Sequence, residues 1–263
     1  MRTMLEVGIV RVDVSTGKAE ETTDYVAQEK PFHIFLNRTH YATIFCSPTN
    51  LKELAVGHAL SEGIIESIEE IEEINLKEEE AVCRVSLKDN VDLEKRLKLS
   101  KHISRVVFSA CGSREPFQPS RRLHKIKSDL KVKATTLLNS VNQLNYVGQT
   151  FRKTGGAHVA AIFRSDGSLV AFAEDVGRHN AVDKTIGICA LNKTDFEQCF
   201  LALSGRLTGD IVTKAARLKL PVVGSLAAAI DSGIAIAKNV GLTLVGFARG
   251  KRMNVYAFPE RIL

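Results

Sequence analysis

Apolar positions along the chain recur with two different periods, and the places where one period gives way to the other mark its elements. VGIVRVDV, PFHIFLN and YATIFC are short runs rich in β-branched and aromatic residues, which predicts strands. TNLKELAVGHALSEG sets Leu51, Leu54, Ala55 and His58 on one helical face, with Thr49 or Asn50 as the cap and His58 as a core histidine. IEEINL and AVCRVSL predict two more strands around a charged turn, and residues 88–104 read as a basic connector to a short strand, RVVF. Pro116 and Pro119 close the loop beyond it. ATTLLNSVNQLNYVGQTFRKTGG repeats Leu137, Leu138, Val141, Leu144 and Val147 at helical spacing and predicts one helix ending near Gly155 and Gly156.

From there strands and helices alternate: AHVAAIF and LVAFAED around the turn SDG, then HNAVDKTIGICAL, FLALSG, TGDIVTKAARLK, PVVGSL, AAIDSGIAIAKNV, LTLVGFA and MNVYAF. Such alternation predicts a sheet covered by helices on both faces, with a hairpin at its entrance. The expected class is α/β, a three-layer α/β/α core over residues 106–263 preceded by a smaller α+β region over residues 1–105.

Composition narrows the choice of function. With 263 residues, 44% of them hydrophobic and 25% charged, the chain is long enough for a substantial core. No apolar signal region opens it and no window approaches 18 uninterrupted apolar residues, so secretion and membrane spanning are not expected and a cytoplasmic location is the default. The net charge of +6 is unevenly spread: residues 62–80 are densely acidic, whereas residues 95–133 hold 12 lysines and arginines against Glu115 and Asp129. A positive field of this kind attracts anions, but no nucleic-acid motif or aromatic platform accompanies it, and nucleic-acid binding is not expected.

Five cysteines without a CxxC pair argue against a disulfide framework and against a cysteine-only zinc site. Cys46, Cys83, Cys189 and Cys199 lie in apolar runs and read as inert core thiols. Cys111, in FSACGSREPF, stands between a strand and a turn, beside Arg114 and in basic surroundings that favour the thiolate. From this context alone it is a packing residue, part of a metal site or a reactive thiol.

In open α/β sheets, ligands bind beyond the carboxyl ends of the strands. Four clusters occupy such places: SACGSRE, EDVGRHNAVDK, SGRLTGD and GFARGKR. The second concentrates Glu174, Asp175, Arg178, His179, Asn180, Asp183 and Lys184, which suit either a ligand or a helix cap with charge pairs. In the third, backbone amides and Arg206 could meet an anion at a helix N-terminus, or Thr208 could simply cap that helix. The fourth groups Arg249, Lys251 and Arg252 around Gly250, as a plain hairpin turn or as a phosphate or purine contact. A zinc deaminase would need H-x-E and P-C-x-x-C, whereas His158 opens HVA and no P-C-x-x-C exists, which argues against zinc-assisted hydrolysis.

ELAVGHALSEGII, TGGAHVAAIF, EDVGRHNAVDK and the stretch from SGRLTGDIVTKAARLK to VGFARGKRMNVY together resemble the formate dehydrogenase accessory sulfurtransferase family, FdhD/NarQ, over nearly the whole chain. The resemblance implies a cytidine-deaminase-like core without the deaminase zinc, usually homodimeric. It implies a sulfur carrier between a cysteine desulfurase and the molybdenum or tungsten bis-guanine-dinucleotide cofactor that formate dehydrogenase requires. The family's loop reads C-G-x-C-G and here reads CGSRE, so the persulfide-bearing cysteine matches Cys111 and Arg114 replaces the second. The family's cofactor-binding stretch matches Phe247, Ala248, Arg249, Gly250, Lys251 and Arg252; Arg178, His179 and Arg206 are expected to join them, with GDP as a fragment of the cofactor. The rival readings are a cofactor-binding chaperone for formate dehydrogenase without sulfur transfer, and a nucleotide hydrolase or deaminase.

Overall fold

Strand runs predicted from the first third of the chain assemble into two sheets, and those of the last third into another. A computed structural model describes residues 2–100, 105–107, 123 and 125–263; Cys111 and Arg114 lie outside them. The first sheet is a ribbon of β1 (Met4–Val12) and β2 (Ala19–Ala27). The second joins β3 (Lys30–Leu36), β4 (Thr39–Cys46), β5 (Ile71–Lys77), β6 (Val82–Leu87) and β7 (Arg105–Val107) in the order β5-β6-β3-β4-β7. The third has six strands, β8 (His158–Arg164), β9 (Leu169–Asp175), β10 (Cys199–Leu203), β11 (Val222–Ser225), β12 (Thr243–Arg249) and β13 (Arg252–Ala257), in the order β13-β12-β11-β10-β8-β9. Within it β10, β11 and β12 are parallel, and β8, β9 and β13 pair antiparallel with their neighbours.

Side chains alternate across a strand, so β8 shows how this sheet is covered. Val159, Ala161 and Phe163 join Leu137, Val141 and Leu144 of helix α3 (Ala134–Val147) in one apolar cluster, where Phe163 stacks on Phe200. Ala160 and Ile162 point the other way, into a larger cluster with helix α1 (Leu51–Ser61) and helix α5 (Arg178–Leu191). Helices therefore cover both faces, as the alternation predicted. The larger cluster also contains Phe32, Ile34, Ile44, Cys83 and Val85 of the five-stranded sheet, so one core spans the chain from residue 32 to residue 257. Glycine makes the α1–α5 crossing possible. A Cβ at Gly57 would lie 1.8 Å from the Asp183 carbonyl oxygen, and one at Gly187 would lie 1.9 Å from that of Glu53.

Several elements differ from expectation. The ribbon has a second strand, β2, because Thr22, Thr23, Tyr25 and Val26 suit a pleat that their acidic neighbours conceal in the sequence. The basic connector contains helix α2 (Leu93–Ser100), with Leu93 and Leu97 buried four residues apart. The long helix before Gly155 breaks into α3 and α4 (Gln149–Thr154) at Gly148, whose ψ of 92° is not helical and where a Cβ would meet Val159 at 2.3 Å. The Glu174 carboxylate then accepts hydrogen bonds from Thr150 N at 3.1 Å and Phe151 N at 2.6 Å, capping α4. Asn50 does precede α1, but in a left-handed conformation without a side-chain cap bond. The helix predicted from Ala228 begins only at Asp231, as α7 (Asp231–Val240), because Ala229 is held in a bridge with Leu207.

Candidate functional site at the carboxyl edge of the six-stranded sheet

β9 runs in the same direction as β10, β11 and β12, so the loops after these strands emerge at one edge, where β8 begins at His158. Three of the four clusters singled out in the sequence thus meet there; the fourth contains Cys111. Backbone and hydroxyl hydrogen bonds stitch the loops together. Leu207 N donates to Ala228 O at 2.9 Å, Ile230 N to Leu207 O at 3.0 Å and Phe247 N to Ala227 O at 2.9 Å. Ser225 Oγ donates to Gly205 O at 2.6 Å. Phe247 takes up a positive φ of 51° as the chain enters the turn, and Gly246 lets that chain approach the neighbouring loop, since a Cβ there would stand 3.1 Å from Ala227 O.

Arg178 and His179 open α5, and Arg206 is exposed in the loop between β10 and helix α6 (Gly209–Arg217). Arg178 crosses Gly205, where a Cβ would lie 2.9 Å from its own Cβ, so the two loops interlock. His158 shares a 3.1 Å hydrogen bond with Ser204 through Nδ1, and Ser204 Oγ accepts another from Val159 N at 3.0 Å. Burial, with Arg178 and Arg206 adding to it against Asp175, holds the His158 pKa below the usual imidazole value. Burial first, then Lys214 and Arg178, lower that of His179 to about 3. Both rings are therefore neutral at pH 7. His179 Nε2 and Thr208 Oγ1 are shut away from solvent without a hydrogen-bond partner among the described residues. Thr208 stands at the N-cap of α6 yet makes no cap bond through its side chain.

The other polar residues of EDVGRHNAVDK turn inward. Asp175, fully buried, accepts from Ser47 N at 3.0 Å, Gly177 N at 2.8 Å and Asn180 Nδ2 at 2.9 Å, and pairs with Lys184 Nζ at 2.6 Å. Lys184 also donates to Ser47 O at 2.8 Å. Asp183 accepts from Ser61 Oγ at 2.6 Å and Lys214 Nζ at 2.9 Å and bonds His58 Nδ1 at 2.8 Å, which joins α1, α5 and α6. Lys214 reaches Glu62 as well, at 2.7 Å. Burial alone would raise the Asp183 pKa; Lys214 and His58 bring it below the ordinary carboxylate value. His58 is indeed a core histidine, but one holding a buried carboxylate. Sequence reading missed Lys214, although its place among Ile211, Ala215 and Ala216 on the buried side of α6 is a signal, since a lysine there needs a partner.

At the far end of the edge, Arg249 pairs directly across from Arg252, with Gly250 (φ 63°) and Lys251 forming the two-residue turn. Like charges facing each other across a hairpin repel, and a bound anion relieves that repulsion. Arg249 lies over the Phe247 ring at 5.2 Å. Arg249, Gly250, Lys251 and Arg252 are exposed, whereas Ala248 is buried in the core and offers a ligand only backbone atoms.

The strand that leads to Cys111 is related to this edge through β4. β7 pairs parallel to β4, Val107 opposite Ile44, and so runs toward the end of β4 at which Ser47 binds Asp175 and Val176. Cys111 follows Val107 by four positions in the sequence.

Comparison with known proteins decides the family. The FdhD/NarQ family profile matches residues 27–263. The chain belongs to the FdhD/NarQ family. It is 36% identical to the sulfur carrier protein FdhD of Sulfolobus acidocaldarius, over 95% of each chain. It is 35% identical to that of Shouchella clausii, over 94% of this chain and 92% of the relative. The crystal structure of a Desulfotalea psychrophila protein, assigned as a formate dehydrogenase accessory protein, superposes with a TM-score of 0.79 at 26% identity, covering both chains completely. This FdhD/NarQ member thus shares its relatives' length and mixed α/β fold.

Proposed function

We propose that this protein is a sulfur carrier serving formate dehydrogenase: Cys111 accepts sulfur as a persulfide from a cysteine desulfurase and passes it to the metal of a bis-guanine-dinucleotide cofactor held as cargo. The supporting observation is the convergence of Arg178, Arg206 and the Arg249–Arg252 turn on one sheet edge, in a chain that is homologous throughout to proteins named sulfur carriers. A cargo with two diphosphates and two guanines needs such an edge: guanidinium groups for phosphate, a ring such as Phe247 for a base, and His179 Nε2 and Thr208 Oγ1, which have no hydrogen-bond partner among the described residues, as additional polar contacts. The six-stranded sheet fits a cytidine-deaminase-like core. The setting is cytoplasmic, in keeping with described residues that contain no helix long and apolar enough to cross a membrane. A homodimer is the expected assembly.

In the loading step, the Cys111 thiolate attacks the terminal sulfur of the donor's persulfide and the donor cysteine leaves as a thiolate. Delivery of that sulfur as sulfide consumes two electrons. A second loop cysteine would supply them by closing a disulfide, but Arg114 stands at that position. Cys46, Cys83, Cys189 and Cys199 are buried, and burial raises each thiol pKa, to about 12 for Cys46 and Cys189 and about 11 for Cys83. The reducing pair therefore comes from a thiol outside this chain.

Incubation with a cysteine desulfurase and cysteine, followed by intact mass, tests the reading. One added sulfur on wild type and none on Cys111→Ala supports it. An unloaded wild type that still binds GDP would leave a cofactor chaperone, and one that neither loads nor binds would overturn both.

A further inference from the structure

Alternation along β8 puts His158 on the same face as Ala160 and Ile162, the face that α5 covers, while Val159 between them turns toward α3. α5 begins with Arg178, and Arg178 crosses Gly205, which stands between Ser204 and Arg206. These three consecutive residues therefore gather His158, Arg178 and Arg206 at one point of the carboxyl edge. Ser204 holds the imidazole at 3.1 Å, and Gly205 leaves the room that Arg178 occupies. Burial and the two arginines keep the half-buried ring neutral. Asp175 pairs opposite His158 in the strand register, but its carboxylate is taken by Ser47, Gly177, Asn180 and Lys184.

Ser204 decides which nitrogen of the ring carries the proton. Its Oγ accepts from Val159 N at 3.0 Å, and its own hydroxyl proton has one acceptor among the described residues, His158 Nδ1. A neutral imidazole that accepts at Nδ1 bears its hydrogen on Nε2. That Nε2 has no hydrogen-bond partner among the described residues and, unlike Nε2 of His179, is not shut away from solvent. The backbone locks the same arrangement, since Ser204 N donates to Val159 O at 2.9 Å. His158 thus offers a single N–H in a fixed direction, beside two guanidinium groups.

We propose that His158 is a further ligand-binding residue of this edge: its Nε2–H donates to an oxygen of the phosphate group that Arg178 and Arg206 neutralise, and Ser204 is the positioning residue that holds the ring in the required tautomer. The inference rests on the guanine-nucleotide cargo of the proposed function and deepens it. The two kinds of donor do different work. Guanidinium groups supply the charge that draws a phosphate to the edge. One neutral N–H with a fixed direction then settles where one of its oxygens sits, and so which way the phosphate faces.

Isothermal titration of the full chain with GDP tests the contact. His158→Phe should lower the affinity about tenfold, the loss of one hydrogen bond to a charged group. His158→Gln, whose amide nitrogen can stand in for Nε2, should recover most of it. Nitrogen NMR shifts of the imidazole read the tautomer in the unliganded protein, where wild type should carry the proton on Nε2. Ser204→Ala should increase the share of the Nδ1–H form and weaken GDP binding less than His158→Phe does. A wild-type ring protonated at Nδ1, a His158→Phe variant that binds GDP as wild type does, a His158→Gln variant weakened as much as His158→Phe, or a wild type that binds no GDP would each overturn the proposal. Sulfur loading on Cys111 is read separately by mass, so a chain that loads sulfur yet gives one of the first three results keeps the proposed function and loses only this contact.

Discussion

Arg178 lies over Gly205, where a Cβ would stand 2.9 Å from the arginine Cβ and 3.1 Å from its Cδ. Gly205→Ala is therefore expected to push Arg178 off the edge while leaving the strands in place. Isothermal titration with GDP should show affinity lowered about tenfold, the loss of roughly one charge-assisted contact, with the circular dichroism spectrum unchanged. Unaltered affinity would mean that Arg178 does not touch the phosphates.

The hairpin turn is separable from that contact. Arg249→Ala and Arg252→Ala should each weaken GDP binding by about 1.5–3 kcal/mol, and the wild-type affinity should fall with added salt. Removing either arginine also removes a like-charge opposition, so the unliganded variants should melt no lower than wild type. A variant that melts lower and binds normally would assign the turn to structure alone.

The network under α5 should behave as a buried ion pair deprived of one member. Lys214→Met leaves the Asp183 carboxylate with only Ser61 and His58, and is expected to cost about 3–5 kcal/mol in urea unfolding. Lys214→Met combined with Asp183→Asn should be less damaging than the single change, since no uncompensated charge remains. A double variant as unstable as the sum of the two single ones would show that they do not act as a pair.

His158 and His179 both have folded pKa values below the unfolded value of 6.5. The unfolded chain therefore binds more protons than the folded one below that pH, and stability, complete above about pH 6.5, falls as the solution is acidified. For His179 the decline continues toward pH 3. Urea midpoints measured from pH 7.5 to pH 4.5 should fall for wild type and fall less steeply for His179→Gln.

Alkylation should separate the cysteines. Cys46, Cys83, Cys189 and Cys199 are buried with raised thiol pKa values, so brief treatment of the folded protein with iodoacetamide should modify Cys111 alone, as read by peptide mass. Early labelling at any of the other four would mean that the core opens under native conditions.

Periodicity carries far in this chain because the six-stranded sheet is built from local alternation: each strand of the last third is announced by an apolar run and closed by its own loop. The edge bearing Arg178, Arg206 and Arg249 was legible for the same reason, since topology alone sends those loops to one side. What stayed hidden depends on partners distant in sequence. Nothing near Lys184 announces that it binds Asp175 and the Ser47 carbonyl, and nothing near Gly148 announces Val159 at 2.3 Å from where its Cβ would be. EDVGRHNAVDK suits either a ligand or a helix cap with charge pairs when read as sequence, because burial, which turns Asp175, Asp183 and Lys184 inward, has no signature in residue type.

The two glycines at the α1–α5 crossing also decide how far the parts of this fold can move against each other. With Gly57 set against the Asp183 carbonyl and Gly187 against that of Glu53, neither helix can rotate or slide without driving backbone into backbone. α1 packs under the sheet whose last strand leads to Cys111, and α5 presents Arg178 at its tip. A hinge at this crossing is not available, so the five-stranded sheet, with β7 at its edge, and the edge that carries Arg178 move as one body.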